Sequence, residues 1–62
     1  MWREVNKETA NTAYEDGKTI RVGNSETDFW SVNKAYENGK SLEYVAERYL
    51  NYYDGPVKYF IQ

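Results

Sequence analysis

The clearest pattern of apolar positions lies in the second half of the chain. Apolar side chains recur there at the spacing of one face of an α-helix, at Leu42, Val45, Ala46, Tyr49, Leu50 and Tyr53. Ser41 precedes the first of them and can cap the helix, while Asp54-Gly55-Pro56 follows the last and can end it. The pattern predicts a helix over 41–53 that buries Tyr49 and Leu50.

A second helical pattern precedes this one. Ser25-Glu26-Thr27-Asp28 is typical of a helix start, because hydroxyl groups cap free amides and acids favour the positive end of the helix dipole. Phe29, Val32, Ala35 and Tyr36 then share one face at helical spacing, and Gly39 is a typical stop. We therefore predict a helix over 25–38. Trp30 lies about 100° away from Phe29 on that helix.

Other segments of the chain are typical of strands. Residues 2–5 and 57–61 are short runs rich in apolar and aromatic side chains. Between them, Asp16-Gly17 separates two strand-like runs and favours a two-residue type I′ turn. A hairpin closed by that turn places Ala13 opposite Ile20, which pairs apolar groups. These features predict strands over 2–5, 12–15, 18–22 and 57–61.

An internal similarity supports a different interpretation of residues 7–16. The segment NTAYEDGKTI at 11–20 recurs as NKAYENGKSL at 33–42. If the two segments are a true repeat, residues 7–16 form a helix instead of a strand. We prefer the hairpin, because Thr and Asn are indifferent helix formers and two copies are too few to establish a repeat array.

These elements together predict a single α+β domain over residues 1–62. Three to four strands form a small antiparallel sheet, and a pair of α-helices packs on one of its faces. A chain of 62 residues buries a modest fraction of its surface, so many of its eleven aromatic rings are needed for the core.

Composition excludes several kinds of chemistry. The chain has no His and no Cys, the side chains that most often supply acid–base, nucleophilic and zinc chemistry. Glu43 and Glu47 lie one helical turn apart, but no His joins them as a metal ligand. We therefore expect no enzyme activity, no cofactor and no metal site. With no secretory signal and no long apolar stretch, we expect a cytoplasmic protein that does not enter membranes.

Charge bears on the kind of partner. The formal net charge is -2, and no segment has a basic cluster for phosphate groups. The predicted helix pair over 25–53 nevertheless has the outline of a helix-turn-helix, and an aromatic sheet face would offer a stacking platform for bases. A nucleic-acid-directed regulator is therefore the alternative function. The acidic stretch 25–54 would also suit a competitor for nucleic-acid sites on another protein.

The candidate binding residues lie on one flank of the predicted second helix. Tyr44, Arg48 and Tyr52 follow each other at intervals of four residues, beside the apolar stripe, and Trp30 is a candidate fourth member. An Arg between two phenol rings can stack on them, and Tyr, Trp and Arg are favoured where binding energy concentrates. We expect a non-enzymatic module that binds, and as an inhibitor blocks, a protein partner. The alternative is that these rings only cover the edge of a small core.

Overall fold

The computed structural model describes residues 1–52 and 55–62, and this part of the chain forms four strands and two helices. In chain order they are β1 (Arg3–Val5), α1 (Lys7–Glu15), β2 (Ile20–Gly23), β3 (Phe29–Val32), α2 (Leu42–Tyr52) and β4 (Lys58–Ile61). The strands form one antiparallel sheet in the order β1-β4-β2-β3. The predicted α+β class is confirmed.

Each helix connects two strands that do not touch each other. Helix α1 connects β1 to β2, and β4 lies between these two strands in the sheet. Helix α2 connects β3 to β4, and β2 lies between them. Two split β-α-β units therefore interlock, and their strands β1 and β3 form the edges of the sheet.

The core lies between the helices and one face of the sheet. Alternation along a strand sends neighbouring side chains to opposite faces, so Ile20 and Val22 of β2 point to the helices and are buried. Val32 of β3 joins them, and the helices contribute Ala10, Ala13, Tyr14, Leu42, Val45 and Tyr49 to the same cluster. The other face, which we call the open face, carries Arg21 and Phe60.

The predicted hairpin around Asp16-Gly17 is wrong, and the helical interpretation from the internal similarity is right. Residues 12–15 belong to α1. The helix begins at Asn6, whose side-chain Oδ1 accepts a hydrogen bond from the backbone N–H of Thr9 at 2.8 Å. Burial of one α1 face in the core outweighs the modest helix propensities of its Thr and Asn residues.

Gly17 explains why the sequence signal was misread. Its φ of 88° is positive, as a type I′ turn requires, but Asp16 before it has φ -75°. The N–H of Gly17 donates to the carbonyl of Tyr14, and the N–H of Lys18 donates to the carbonyl of Ala13 at 3.1 Å. These are the two bonds of a Schellman motif, so the glycine ends a helix instead of turning a hairpin.

The helix predicted over 25–38 is also wrong, although its start signal is partly real. The Ser25 hydroxyl accepts hydrogen bonds from the N–H groups of Thr27 and Asp28, as a helix cap does. The chain then turns back, because the N–H of Asn24 donates to the carbonyl of Asp28 at 2.9 Å. Residues 29–32 pair with β2 as a strand, which suits their aromatic and β-branched side chains.

One turn remains of the second half of that predicted helix. Asn33 accepts a hydrogen bond from the N–H of Tyr36 at 2.9 Å, and Asn38, with φ 57°, ends the turn. Tyr36 was predicted on the buried face of a helix, but it is exposed. The reason is that the turn leads over the surface from β3 to α2 instead of packing on the sheet.

Strands β1 and β4 confirm the predicted strands over 2–5 and 57–61. Helix α2 confirms the predicted helix over 41–53. Ser41 caps α2 as expected, and its Oγ accepts a hydrogen bond from the N–H of Tyr44 at 3.2 Å. Tyr53 and Asp54, which the pattern places at the end of this helix, lie outside the described residues.

Tyr49 is buried as predicted, but the prediction for Leu50 is wrong because this side chain is 49% exposed. The rotation of α2 about its axis explains the difference. The Trp30 ring packs against Tyr49 with 4.9 Å between centroids, which turns the helix towards β3. Leu50 lies about 100° round the helix from Tyr49 and is left on the opposite flank.

Candidate functional site

The four candidate binding residues come from two elements. Tyr44, Arg48 and Tyr52 lie on α2, and Trp30 lies on the edge strand β3. Trp30 pairs with Val22 of β2, so both side chains point to the face that the helices cover. Because residues 29–32 form a strand, Trp30 lies beside α2. We call Trp30, Tyr44, Arg48 and Tyr52 the aromatic flank.

Trp30 is the centre of the aromatic flank. The edge-to-face contact with buried Tyr49 has an interplanar angle of 76°. Tyr52 makes a second such contact, with 5.9 Å between centroids, and the guanidinium carbon of Arg48 lies 5.8 Å from the Trp30 ring. These distances suit aromatic pairs and a cation–π contact. The structure therefore brings Trp30, Arg48 and Tyr52 together.

An ion pair orients Arg48. Its Nη1 donates to Oε1 of Glu37 at 2.8 Å, and the Glu37 side chain is mostly buried while Arg48 is about half exposed. Glu37 comes from the turn between β3 and α2. The carboxylate therefore holds the guanidinium at the Trp30 ring, and a partly buried pair of this kind is more ordered than a fully exposed one.

Tyr44 lies on the same flank but outside this cluster. The ring is 44% exposed, and Nζ of Lys40 lies 5.3 Å from its centroid. Tyr52 is 75% exposed although its edge meets Trp30. Arg48 was expected to lie between Tyr44 and Tyr52, whereas its observed partners are Trp30 and Glu37.

Two buried tyrosines form hydrogen bonds with the backbone of the loops next to the aromatic flank. The hydroxyl of Tyr14 in α1 donates to the carbonyl of Lys40 at 2.6 Å and holds the chain just before α2. The hydroxyl of Tyr49 accepts a hydrogen bond from the N–H of Asn24 at 3.1 Å and holds the loop between β2 and β3. Both rings are fully buried, so they determine where α2 and β3 lie relative to each other.

The burial of tyrosines leads to a prediction about alkaline pH. Burial raises the pKa of Tyr14 above its ordinary value, and Glu37 and Glu15 raise it further. Burial, with a smaller effect of Glu43, also raises the pKa of Tyr59. The unfolded chain releases these protons near pH 10, whereas the folded chain retains them to higher pH. The free energy of unfolding should therefore hold below about pH 10 and fall as the pH rises through the folded-state pKa values.

Urea unfolding between pH 8 and pH 11 measures this slope. The double variant Tyr14→Phe, Tyr59→Phe should show a smaller loss of stability over the same interval, because it has neither hydroxyl to ionise. An unchanged slope in this variant would show that other groups cause the alkaline loss.

Sequence reasoning missed Glu37 and the structural role of Tyr49. Glu37 was placed on a helix over 25–38, where nothing indicated a contact with Arg48. Tyr49 was expected in the core, but a helical pattern does not show which loop a buried hydroxyl will meet. An unpaired Arg on a helix flank was the available signal that an acidic partner from elsewhere was needed.

The helix pair that a helix-turn-helix would need is not present in the described residues. Its first helix does not form, because residues 29–32 are strand β3. The exposed side chains of α2 include Glu43 and Glu47, which phosphate groups repel. The version of the alternative function that uses an aromatic sheet face stays a prediction.

Further features bear on what the described part of the chain can hold. Residues 1–52 and 55–62 include no group of three or more Asp or Glu side chains placed to hold a metal ion. No helix within these residues has the length and apolar character needed to cross a bilayer. No protein-family model matches the chain, and neither a curated protein nor a solved structure matches it. Proposals about function therefore rest on the geometry of the residues themselves.

Proposed function

We propose that this chain is a non-enzymatic module that binds a protein partner through the aromatic flank. The observation that carries the proposal is the ordering of Arg48: Glu37 holds its guanidinium beside Trp30, while the neighbouring rings of Tyr44 and Tyr52 stay open to solvent. Such a surface presents a planar cation and two phenols with little freedom left to lose on binding.

Preorganisation of the aromatic flank lowers the free-energy cost of binding. Binding energy concentrates in Trp, Tyr and Arg side chains, which bury a large area for few rotatable bonds. Ordering a flexible side chain at an interface costs about 0.5–1.5 kcal/mol. The contacts of Trp30 with Tyr52 and Arg48 already restrict these groups in the free protein. The partner would therefore meet a surface whose shape is set before it arrives.

The competing interpretation is that these rings only shield the core. Tyr52 and Tyr44 argue against it, because three quarters of one and nearly half of the other stay in water. Rings this exposed contribute less to the core and leave much of their surface available to a partner. Inhibition of the partner would follow if the flank occupies the partner's own working surface.

Position-specific cross-linking can recover the partner. A photoreactive phenylalanine analogue at position 52 should capture it from the organism that encodes the chain, whereas the same analogue at position 50 should not. Position 50 is the control, because Leu50 is an exposed apolar residue of α2, 49% exposed, that lies on the other flank. Equal capture from both positions would contradict a specific role for the aromatic flank.

Affinity for the recovered partner then tests the flank quantitatively. The double variant Tyr44→Ala, Tyr52→Ala should weaken binding by about 2 kcal/mol or more, roughly thirtyfold, with little change in melting temperature. Arg48→Lys keeps the charge that Glu37 needs but not the planar stack, and should also weaken binding. Leu50→Ala is the control and should bind normally. Wild-type affinity in the double variant would refute the proposal.

A further inference from the structure

The open face of the sheet holds an arginine in an unusual setting. Arg21 lies on the central strand β2, and its guanidinium carbon is 4.0 Å from the centroid of the Trp2 ring and 4.2 Å from that of Phe29. Phe60, its neighbour on β4, is only 3% exposed although no helix covers this face. We call Arg21, Trp2 and Phe29 the Arg21 clamp.

Among residues 1–52 and 55–62, Arg21 forms no ion pair with an acidic side chain. The ion pairs within residues 1–52 and 55–62 are Lys34 with Glu15 and Arg48 with Glu37. Nε of Arg21 is buried without a hydrogen-bond acceptor among the described residues. The two rings attract the charge, but they do not replace the hydrogen bond to water that this donor loses on burial.

A cleft opens beside the clamp. It has a volume of about 290 Å³ and is lined by Met1, Trp2, Arg21, Glu26 and Phe60. Arg21 is only partly buried and lines this cleft, while its Nε is buried. The cleft thus offers a cation stacked on aromatic rings, with one acidic residue of the protein, Glu26, in the same lining.

We propose that the Arg21 clamp binds the side-chain carboxylate of an acidic segment in a partner protein. A carboxylate fits the two terminal nitrogens of a guanidinium bidentately, and the rings prevent the guanidinium from turning away. The rings against Arg21 reduce its hydration, which strengthens the attraction relative to that of a fully exposed ion pair. This site lies on the opposite face from the aromatic flank and does not depend on the function proposed for it.

Charge decides between a carboxylate and a nucleic acid. Among the described residues that line the cleft, Arg21 has the one cationic side chain, and Glu26 would repel a chain of phosphates. A neighbouring cleft adds Lys58 but also Glu4. One guanidinium suffices for a single carboxylate, whereas affinity for nucleic acid needs several cations to displace counterions. We therefore favour an acidic peptide over an oligonucleotide stacked on Trp2.

Glu26 provides a specific test of the proposed carboxylate site. Its carboxylate lines the same cleft as Arg21, so it competes with an incoming carboxylate and repels it. Glu26→Gln should therefore strengthen binding of an acidic peptide, which a structural role of Arg21 would not predict.

The probe is an acetylated, amidated pentapeptide with a central Glu between two Leu residues, and its twin with Gln in place of Glu. Titration is followed by NMR at the Nε–H signal of Arg21 and the indole N–H of Trp2. The Glu peptide should shift both signals and bind about tenfold more tightly than its twin. Inorganic phosphate and a single-stranded oligothymidine, at matched concentration, test the other anions.

Variants separate a binding site from a structural stack. Arg21→Lys should weaken binding of the Glu peptide by about tenfold, because a point charge cannot make the bidentate contact. Glu26→Gln should tighten it by several-fold, roughly the effect of removing one nearby like charge. Lys7→Gln, at an exposed site on α1, is the control for net charge and should change nothing.

The outcomes that overturn the proposal are distinct. Equal binding of the two peptides, or no effect of Glu26→Gln in a folded protein, would mean that no carboxylate is recognised at Arg21. Tighter binding of oligothymidine than of the peptide would favour the nucleic-acid interpretation instead. The variant Tyr44→Ala, Tyr52→Ala should bind the peptide normally, so failure here and failure of the aromatic flank can be told apart.

Discussion

Tyr49→Ala is expected to cost about 3–5 kcal/mol of the free energy of unfolding, as removal of a fully buried aromatic ring does. Tyr49 is completely buried, its ring meets Trp30, and its hydroxyl accepts from the N–H of Asn24. A domain of this length has a total stability of roughly 3–9 kcal/mol. The variant should therefore lose a third or more of its stability, which a urea or thermal melt measures.

Tyr49→Phe separates the ring from the hydroxyl. It keeps the packing against Trp30 and should cost only about 0.5–1.5 kcal/mol, the net value of an ordinary hydrogen bond. If Tyr49→Ala lowered stability as little as Tyr49→Phe, packing of the Tyr49 ring on Trp30 would not hold α2 against β3. Because this packing also positions Trp30, any folded variant without the Tyr49 ring should bind the partner more weakly.

Gly23→Ala is expected to destabilise the protein at or beyond the upper end of the range of about 1–3 kcal/mol for overpacking. A Cβ at position 23 would lie 2.1 Å from the carbonyl oxygen of Asp28 and 2.4 Å from Cα of Phe29. Both are backbone atoms of the β2–β3 loop and strand, so neither can swing aside. The hairpin would have to open to admit one methyl group.

Gly17→Ala is the matched control for Gly23→Ala. A Cβ there meets nothing within 4 Å, and the strain comes only from the positive φ of 88°. Left-handed backbone costs a non-glycine residue about 1–2 kcal/mol. Thermal melts should therefore place Gly17→Ala between the wild type and Gly23→Ala. The reverse order would show that β2 and β3 are farther apart than described.

These effects connect the fold to the proposed surface. The loop between β2 and β3 is held by Tyr49, and the turn between β3 and α2 is held by Tyr14. Because Trp30 lies on β3 and Arg48 on α2, both loops affect how the aromatic flank is arranged. Mutations in the loops should therefore act on partner affinity through position, whereas mutations at Tyr44 and Tyr52 act through direct contact.

Part of the candidate site could be predicted from the sequence. Helical spacing alone places Tyr44, Arg48 and Tyr52 on one flank of α2, because neighbours on a helix are set by its period. The structure places the candidate Trp30 beside Arg48 and Tyr52, but on a strand and not on the helix that the sequence predicted. The partner of Arg48 could not be predicted, because Glu37 reaches it from a turn whose position depends on where β3 ends.

The Arg21 clamp could not be predicted from the sequence. Arg21 was expected on a strand, but nothing in the pattern showed that Trp2 and Phe29 would reach its guanidinium. Trp2 precedes β1 and Phe29 begins β3, so the two rings come from opposite ends of the sheet order. Only the strand order β1-β4-β2-β3 places both near Arg21.

The sequence by itself determined the features that depend on short-range bonds. These are α2 with its Ser41 cap, the short strands at each end, and the positive φ at Gly17, since caps and turns involve residues a few positions apart. Tertiary structure decided whether residues 7–16 and 29–32 became helix or strand. Both segments have weak or mixed local preferences, so burial against the sheet and pairing with β2 outweighed them. Which tyrosines are buried and which stay exposed was decided in the same way, because burial depends on neighbours far away in the chain.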